Sequence, residues 1–321
     1  MQSRSVGDSG LRVSRLGLGT MTWGRDITPR EAAQLLETFC GAGGSLVDTA
    51  AAYGHGEVER LLGSLLATVV DREDVVLATK AGFVTRDGER VVDTSRRTML
   101  DDLAGSLRRL RVEAVDLWQV HAWGDAPIEE TLAALDHAVS TGMARYVGVS
   151  NFIGWQTAQA VTWQRAVPGR VPVVSTQVEY SLLARRAEVE ILPAVRALGL
   201  GFFPWSPLGR GVLTGIYRRT TPRGSRAASS HLGWFVEPYL DVRSRGVVDS
   251  VATAADGLGL TPAQVALLWV RDAPGVTAPL LGARTVAQLN ELLAVEETIL
   301  PGPITTALDD VSGGPNYGRT I

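Results

Sequence analysis

The sequence predicts an α/β fold: a (β/α)8 TIM barrel with an N-terminal β-hairpin and long loops at its C-terminal mouth. Three observations carry that expectation. Short apolar runs alternate with helix-length amphipathic segments eight times along the chain. Three consecutive runs each close on an ionisable residue: Leu46-Val47 on Asp48, Val75-Val76-Leu77-Ala78 on Lys80 after Thr79, and Val115–Val120 on His121. Buried strand ends rarely carry such groups unless the charges are paired or working, and barrel enzymes gather their chemistry there. Finally, 321 residues with 45% apolar and 20% charged side chains suit one α/β barrel with a large core. One domain over residues 1–321 is therefore expected.

The elements follow in order. Residues 1–13 read as a hairpin turning at Gly7–Gly10 and plugging the far end of the barrel. Leu16–Gly19 is a short first strand, its glycines marking close approach of backbone or ligand. Thr28-Pro29-Arg-Glu31 carries a capping box with proline in the first turn, opening a helix to about Gly41. The Asp48 strand, a helix over Glu57–Leu66 and the Lys80 strand come next. A helix at Ser95–Arg111 precedes the His121 strand, and one at Pro127–Thr141 precedes a strand at Ala144–Val149. Trp155–Ala166 leads to Val173–Gln177, and Ala187–Leu198 leads to Leu200–Trp205. A Gly/Arg/Ser-rich stretch, 209–233, interrupts the rhythm. Helices at Arg243–Leu258 and Thr261–Arg271, an eighth strand at Val276–Leu281 and a helix at Thr285–Glu297 complete the barrel. The tail, 301–321, is polar and Gly-rich and is expected to be at most partly ordered.

Composition excludes several functions. A net charge of −3 gives no electrostatic case for nucleic acid or an anionic membrane. The single cysteine, Cys40, lies on an apolar helix face, reads as core packing, and fits a reducing cytoplasm. No secretory signal pattern and no run of about 18 apolar residues appears, so a soluble protein is expected. His55, His121, His137 and His231 are scattered without ligand spacing, so no metal site is expected. A homo-oligomer is left open, since no helix shows a surplus apolar face.

Asp48, Tyr53, Lys80 and His121 are placed together at the mouth, Tyr53 on the loop after the Asp48 strand. A free tyrosine, with a pKa near 10, is a poor acid catalyst at neutral pH. An adjacent lysine ammonium favours the phenolate, an aspartate holds the lysine, and a neutral histidine can orient a carbonyl oxygen. The set suits protonation of a developing alkoxide, the need of carbonyl reduction. Taken singly, each residue reads as well as a turn, a snorkelling side chain or core packing; the conjunction points to catalysis.

These residues resemble the aldo-keto reductase superfamily along almost the whole chain. The motifs are Gly17-Leu-Gly-Thr-Met21, Asp48-Thr-Ala-Ala-Ala-Tyr-Gly54, Thr79-Lys80, Asp116-Leu-Trp-Gln-Val-His121 and Gly148-Val-Ser-Asn-Phe152. Further matches are Gln177-Val-Glu-Tyr180, Trp205-Ser-Pro-Leu-Gly-Arg-Gly211 and Gly282-Ala-Arg-Thr285. The resemblance implies Tyr53 as general acid/base, Lys80 and Asp48 as its tuners, His121 as orienter, and NADPH, less often NADH, as cofactor. No G-x-G-x-x-G motif follows a strand in the context a Rossmann domain needs.

On the same footing, Ser150, Asn151 and Gln177 would hold the nicotinamide carboxamide, and Trp205 would stack on its ring. Ser206, Pro207, Leu208, Arg210 and Gly211 form a Gly-rich turn suited to pyrophosphate; a mobile surface loop is the alternative. Arg284, opening the last helix beyond Gly282, would favour a 2′-phosphate. Gln288, at i+4, and Glu291 would join the adenosine contacts. Thr20 and Met21 would flank the cofactor at the first strand. Two departures stand out: Glu291-Leu292 replaces the Glu-Asn common in relatives, and Val58-Glu59 replaces a Ser-Glu pair, with His55 at the pocket edge. Trp23 and Trp123 at the mouth favour an apolar or planar carbonyl substrate, while Arg218, Arg219, Arg223 and Arg226 can fold over cofactor phosphates. Two other roles remain open: an NADP(H)-binding regulatory subunit with slow turnover, and a Schiff-base barrel acting through Lys80.

Overall fold

The computed structural model describes residues 1–313. Eight parallel strands form a nearly closed barrel. They are β1 (Gly17–Gly19), β2 (Leu46–Asp48), β3 (Val76–Ala81), β4 (Val115–Val120), β5 (Ala144–Ser150), β6 (Val173–Glu179), β7 (Gly201–Trp205) and β8 (Leu280–Leu281). Spatial order follows chain order, with β8 beside β1. Only the β7–β8 seam lacks a regular ladder, and there Thr277 N–H donates to Phe202 O at 2.8 Å while Phe202 N–H donates to Thr277 Oγ1 at 3.0 Å.

Strand periodicity explains why the mouth is polar above an apolar floor. Asp48 lies opposite Ala78, and Lys80 opposite Gln119. Residues two apart share a strand face. Leu46, Ala78 and Leu117 therefore fill an interior layer with Val174, Phe203 and Leu280, and Asp48, Lys80 and Gln119 stand one step above on the same face. The N-terminal hairpin, with strands Ser3–Ser5 and Arg12–Ser14, closes the floor by packing Val6, Leu11 and Val13 against that layer. The expected plug is thus present.

The helices are α1 (Pro29–Gly41), α2 (Glu57–Leu66), α3 (Arg96–Leu110), α4 (Ile128–Ser140), α5 (Gly154–Ala166), α6 (Ile191–Leu198), α7 (Gly233–Val236), α8 (Val242–Leu258), α9 (Pro262–Arg271), α10 (Val286–Leu293) and α11 (Gly302–Ser312). In α1 the expected capping box forms: Thr28 accepts from Glu31 N–H and Glu31 accepts from Thr28 N–H. Its buried residues, Ala32, Leu35, Leu36 and Phe39, recur at helical spacing and face the main core. Where α2 meets α3, a Cβ on Gly63 would lie 2.4 Å from Arg109 O, so only glycine allows that approach. No single helix among the described residues is long and apolar enough to cross a membrane.

Several expectations need correction. The tail, expected to be at most partly ordered, carries α11, whose Asp309 accepts from Trp269 Nε1–H at 3.1 Å and pairs with Arg185; residues 314–321 lie outside the described residues. The eighth strand shrinks to two residues, since Ala273–Thr277 turn across the β7 seam. The helix before β7 begins at Ile191, after a 3-10 turn, and the last barrel helix ends at Leu293. An antiparallel hairpin, Phe83–Arg86 with Glu89–Val92, follows β3 and was not anticipated. Its signal was Asp87-Gly88 between alternating residues, both in the left-handed conformation a tight hairpin turn requires.

Candidate active site

Lys80 is fully buried at the end of β3 and donates to Asp48 Oδ2 at 2.6 Å and Thr49 O at 2.8 Å. Asp48 Oδ1 accepts from Gln177 Nε2 at 3.0 Å and Gln119 Nε2 at 3.4 Å. The carboxylate is thus held from both sides of the barrel, and Gln119 is a partner that sequence reading missed. Its place two residues before His121 on an inward-facing period was the available signal. The Asp48 charge and hydrogen bonds outweigh burial and raise the Lys80 pKa above its ordinary value, so the ammonium persists.

Tyr53 opens a 3-10 turn in which Gly54 and His55 both adopt left-handed backbone. The segment is tied to the neighbouring strand by Thr49 N–H to Ala78 O and Ala51 N–H to Lys80 O. The Lys80 ammonium stands 5.2 Å from the Tyr53 ring centre, and the His121 ring 5.9 Å from it, edge-on. All four predicted residues therefore converge. The expected direction of the Tyr53 pKa is corrected, however. Lys80 does favour the phenolate, but burial outweighs it and raises the pKa above the ordinary tyrosine value. His121 moves the other way: burial first, then Lys80 and Arg90, push its pKa well below 6.5, leaving a neutral imidazole. Its Nδ1 is buried and unpartnered, and Phe83 packs edge-on at 4.8 Å.

On the helix-facing side of β3 lies a second buried charge, to which the sequence assigned no role. Glu59 is fully buried; it accepts from Thr79 Oγ1 at 2.6 Å and from Arg109 Nε at 2.7 Å. It ties α2 and α3 to the strand carrying Lys80. His55, in contrast, is exposed, as a solvated loop residue would be.

The other side of the mouth is built by the ends of β5, β6 and β7. Asn151, with a positive φ of 57°, donates to His121 O at 2.9 Å and accepts from Trp205 Nε1–H at 3.0 Å. Ser150 Oγ donates to Gln177 O. Ser206 also has positive φ, and in the turn that follows Gly209 N–H donates to Ser206 O and Gly211 N–H to Leu208 O. Pro207 is buried there and Leu208 half-buried. Arg210 does not reach into open space: its guanidinium grips Glu179 at 2.6 and 2.8 Å, donates to Phe235 O and lies 4.0 Å over the Phe235 ring. Thr20 is buried and bonds Asp48 O through both N–H and Oγ1; Met21 is half-buried beside it.

A Cβ on Gly282 would meet nothing within 4 Å, so the wall before Arg284 is open. Arg284 donates twice to Gly224 O, both at 3.1 Å, and its N–H donates to Gln288 Oε1. Next to Gly224, Ser225 Oγ is buried without a partner. Arg226 follows, its pKa lowered chiefly by burial and further by Arg284 and Arg210. A buried hydroxyl without a partner beside cations that repel one another is an arrangement completed by an anion. Glu291 accepts from Thr261 Oγ1 at 2.5 Å, and Leu292 packs in the core. Of the aromatic candidates, Trp23 is buried with its indole N–H unpartnered, while Trp123 stacks edge-on with Phe152 at 5.1 Å and Trp155 at 5.2 Å. No group of three or more metal-ligating side chains occurs among the described residues.

Comparison with known proteins agrees with this geometry. Residues 15–311 match the model of the Aldo/keto reductase family. A similar protein, described as uncharacterized oxidoreductase YrpG from Bacillus subtilis (strain 168), is 36% identical over 98% of this chain and 97% of its own length.

Proposed function

The chain belongs to the aldo/keto reductase family, an oxidoreductase family using nicotinamide cofactors, and from that premise we propose that it is an NADPH-dependent reductase of aldehydes or ketones. The observation that carries the reading is the buried Lys80–Asp48 pair beneath the Tyr53 ring, with a neutral His121 edge-on to it.

The cofactor, when bound, supplies a hydride to the carbonyl carbon. The chain's own residues manage the oxygen. Tyr53, kept protonated by burial, donates its proton as the oxygen gains charge. Lys80 stabilises the phenolate left behind, and Asp48 keeps Lys80 charged. Neutral His121 orients the carbonyl oxygen by hydrogen bonding. A preorganised donor set of this kind, away from bulk water, acts on charge that develops only in the transition state.

Ser150, Asn151 and Gln177 would hold the carboxamide, and Trp205, fixed by Asn151, would stack on the nicotinamide. The phosphates would be met by Arg226, Arg284 and the unpartnered Ser225 hydroxyl. Arg284 supports NADPH over NADH, because a guanidinium can grip a 2′-phosphate through two donors. We place the protein in a reducing cytoplasm, which suits a lone cysteine whose pKa burial raises to about 11.

Titration with NADPH and NADH, followed by tryptophan fluorescence, tests the reading. NADPH should bind more tightly, and Arg284→Ala should remove most of that preference, about tenfold or more. Absence of binding by either cofactor overturns the reading and leaves Lys80 Schiff-base chemistry as the alternative to test.

A further inference from the structure

The hairpin after β3 puts one more charge at the substrate side of the mouth. Arg90, on its second strand opposite Thr85, lays its guanidinium 3.8 Å over the Phe83 ring. Phe83 in turn packs 4.8 Å from His121. The guanidinium is therefore no farther from the imidazole than the sum of those two separations. Arg90 donates no side-chain hydrogen bond to, and forms no ion pair with, any of the described residues. The buried and half-buried Arg72, Arg109, Arg185, Arg210 and Arg271 hold carboxylates, whereas Arg90 is exposed and, like the exposed Arg108 and Arg223, holds none; its stacking on Phe83 beside His121 sets it apart.

The charges below do not neutralise it. Lys80 and Asp48 cancel each other at 2.6 Å. His121 is neutral, held so partly by Arg90 itself, and Arg90 also favours the Tyr53 phenolate. Tyr53 and Phe83 both pack edge-on to the His121 ring, at 5.9 and 4.8 Å, so Arg90, lying over Phe83, stands near the same imidazole as Tyr53. The cofactor phosphates would lie across the mouth, at the loop containing Ser225 and Arg226.

Resting on the reductase reading, we propose that Arg90, stacked on Phe83, is the specificity-determining residue of the substrate pocket. It recognises a carboxylate, or a comparably placed anionic group, a few bonds from the reacting carbonyl. The stacking on Phe83 restrains the guanidinium before substrate arrives, so less freedom is lost on binding. The substrate class is thus a planar or short-chain aldehyde or ketone acid rather than a neutral carbonyl compound.

The test compares 4-carboxybenzaldehyde with its neutral methyl ester, using NADPH and the full-length enzyme. Wild-type kcat/KM should favour the acid by about tenfold, the scale of one charge-assisted hydrogen-bonded pair at a partly exposed site. Arg90→Gln should bring the ratio close to one, mainly by raising KM for the acid, and Arg90→Lys should keep part of the preference. A wild-type ratio of one or less, or a ratio that Arg90→Gln leaves unmoved, overturns the inference while the reductase reading stands. If neither aldehyde is reduced, the reductase reading fails, and binding of benzoate against benzamide decides the anion site separately. Benzoate binding lost in Arg90→Gln upholds it; equal binding of the two ligands refutes it.

Discussion

Replacing Asp48 by asparagine removes one partner of a fully buried ion pair. Lys80 would keep Thr49 O at 2.8 Å and a neutral amide oxygen as acceptors, but its charge would lose the carboxylate at 2.6 Å. Breaking such a pair from one side typically costs about 3–5 kcal/mol, because the remaining charge is stranded. The pH dependence follows from the Lys80 pKa. In the wild type it is raised by Asp48, so the pair's contribution is complete below the unfolded-state lysine value and fades as pH rises through the folded value. In the variant, burial, the largest influence on Lys80, lowers its pKa and is opposed only by Tyr53. The cost then weighs on the charged form and is relieved as pH rises towards 10. Urea unfolding should therefore show a deficit of about 3–5 kcal/mol at pH 7 that narrows steadily to pH 10. The double variant Asp48→Leu with Lys80→Met should recover most of the stability and none of the activity, because a buried pair replaced by apolar groups is often neutral or stabilising. A single-variant deficit below about 1 kcal/mol, or one independent of pH, would refute the account of a buried, charged pair.

Tyr53→Phe should bind cofactor normally yet lower kcat by about a hundredfold or more, the scale of a lost general acid; normal turnover removes Tyr53 from its assigned role. In the reduction direction, the pH profile of kcat/KM should show no inflection from His121 between about pH 6.5 and 8, because its pKa is depressed. Its protonated form, gained only at lower pH, should diminish the rate. Loss at high pH should begin only above the ordinary tyrosine range, since the reactive form is the protonated phenol and its pKa is raised. Arg109→Met should cost about 3–5 kcal/mol in thermal or urea unfolding, because it strands the buried Glu59 carboxylate with Thr79 as its remaining partner. Gly63→Ala should destabilise by about 1–3 kcal/mol, since its Cβ would meet Arg109 backbone at 2.4 Å.

What the sequence by itself determined was whatever repeats or alternates. The eight-fold rhythm of apolar runs and amphipathic helices, the Thr28–Glu31 cap and the closure of three strands on Asp48, Lys80 and His121 are local patterns. A barrel whose strand order follows chain order turns such local positions into neighbours at one mouth. The tertiary structure decided the electrostatics, because pKa depends on burial and on partners distant in the chain. It reversed the expected shift of Tyr53, joined Gln177 and Gln119 to Asp48 across the barrel, and engaged Arg210 with Glu179. It also turned Glu59, the retained member of the Val58-Glu59 pair and without an assigned role in sequence, into a buried brace through Arg109. The hairpin that brings Arg90 to the pocket had a readable turn at Asp87-Gly88, but its packing on Phe83 beside His121 did not. Side-chain direction off a short hairpin is set by the surface it folds onto, and only the closed barrel supplies that surface.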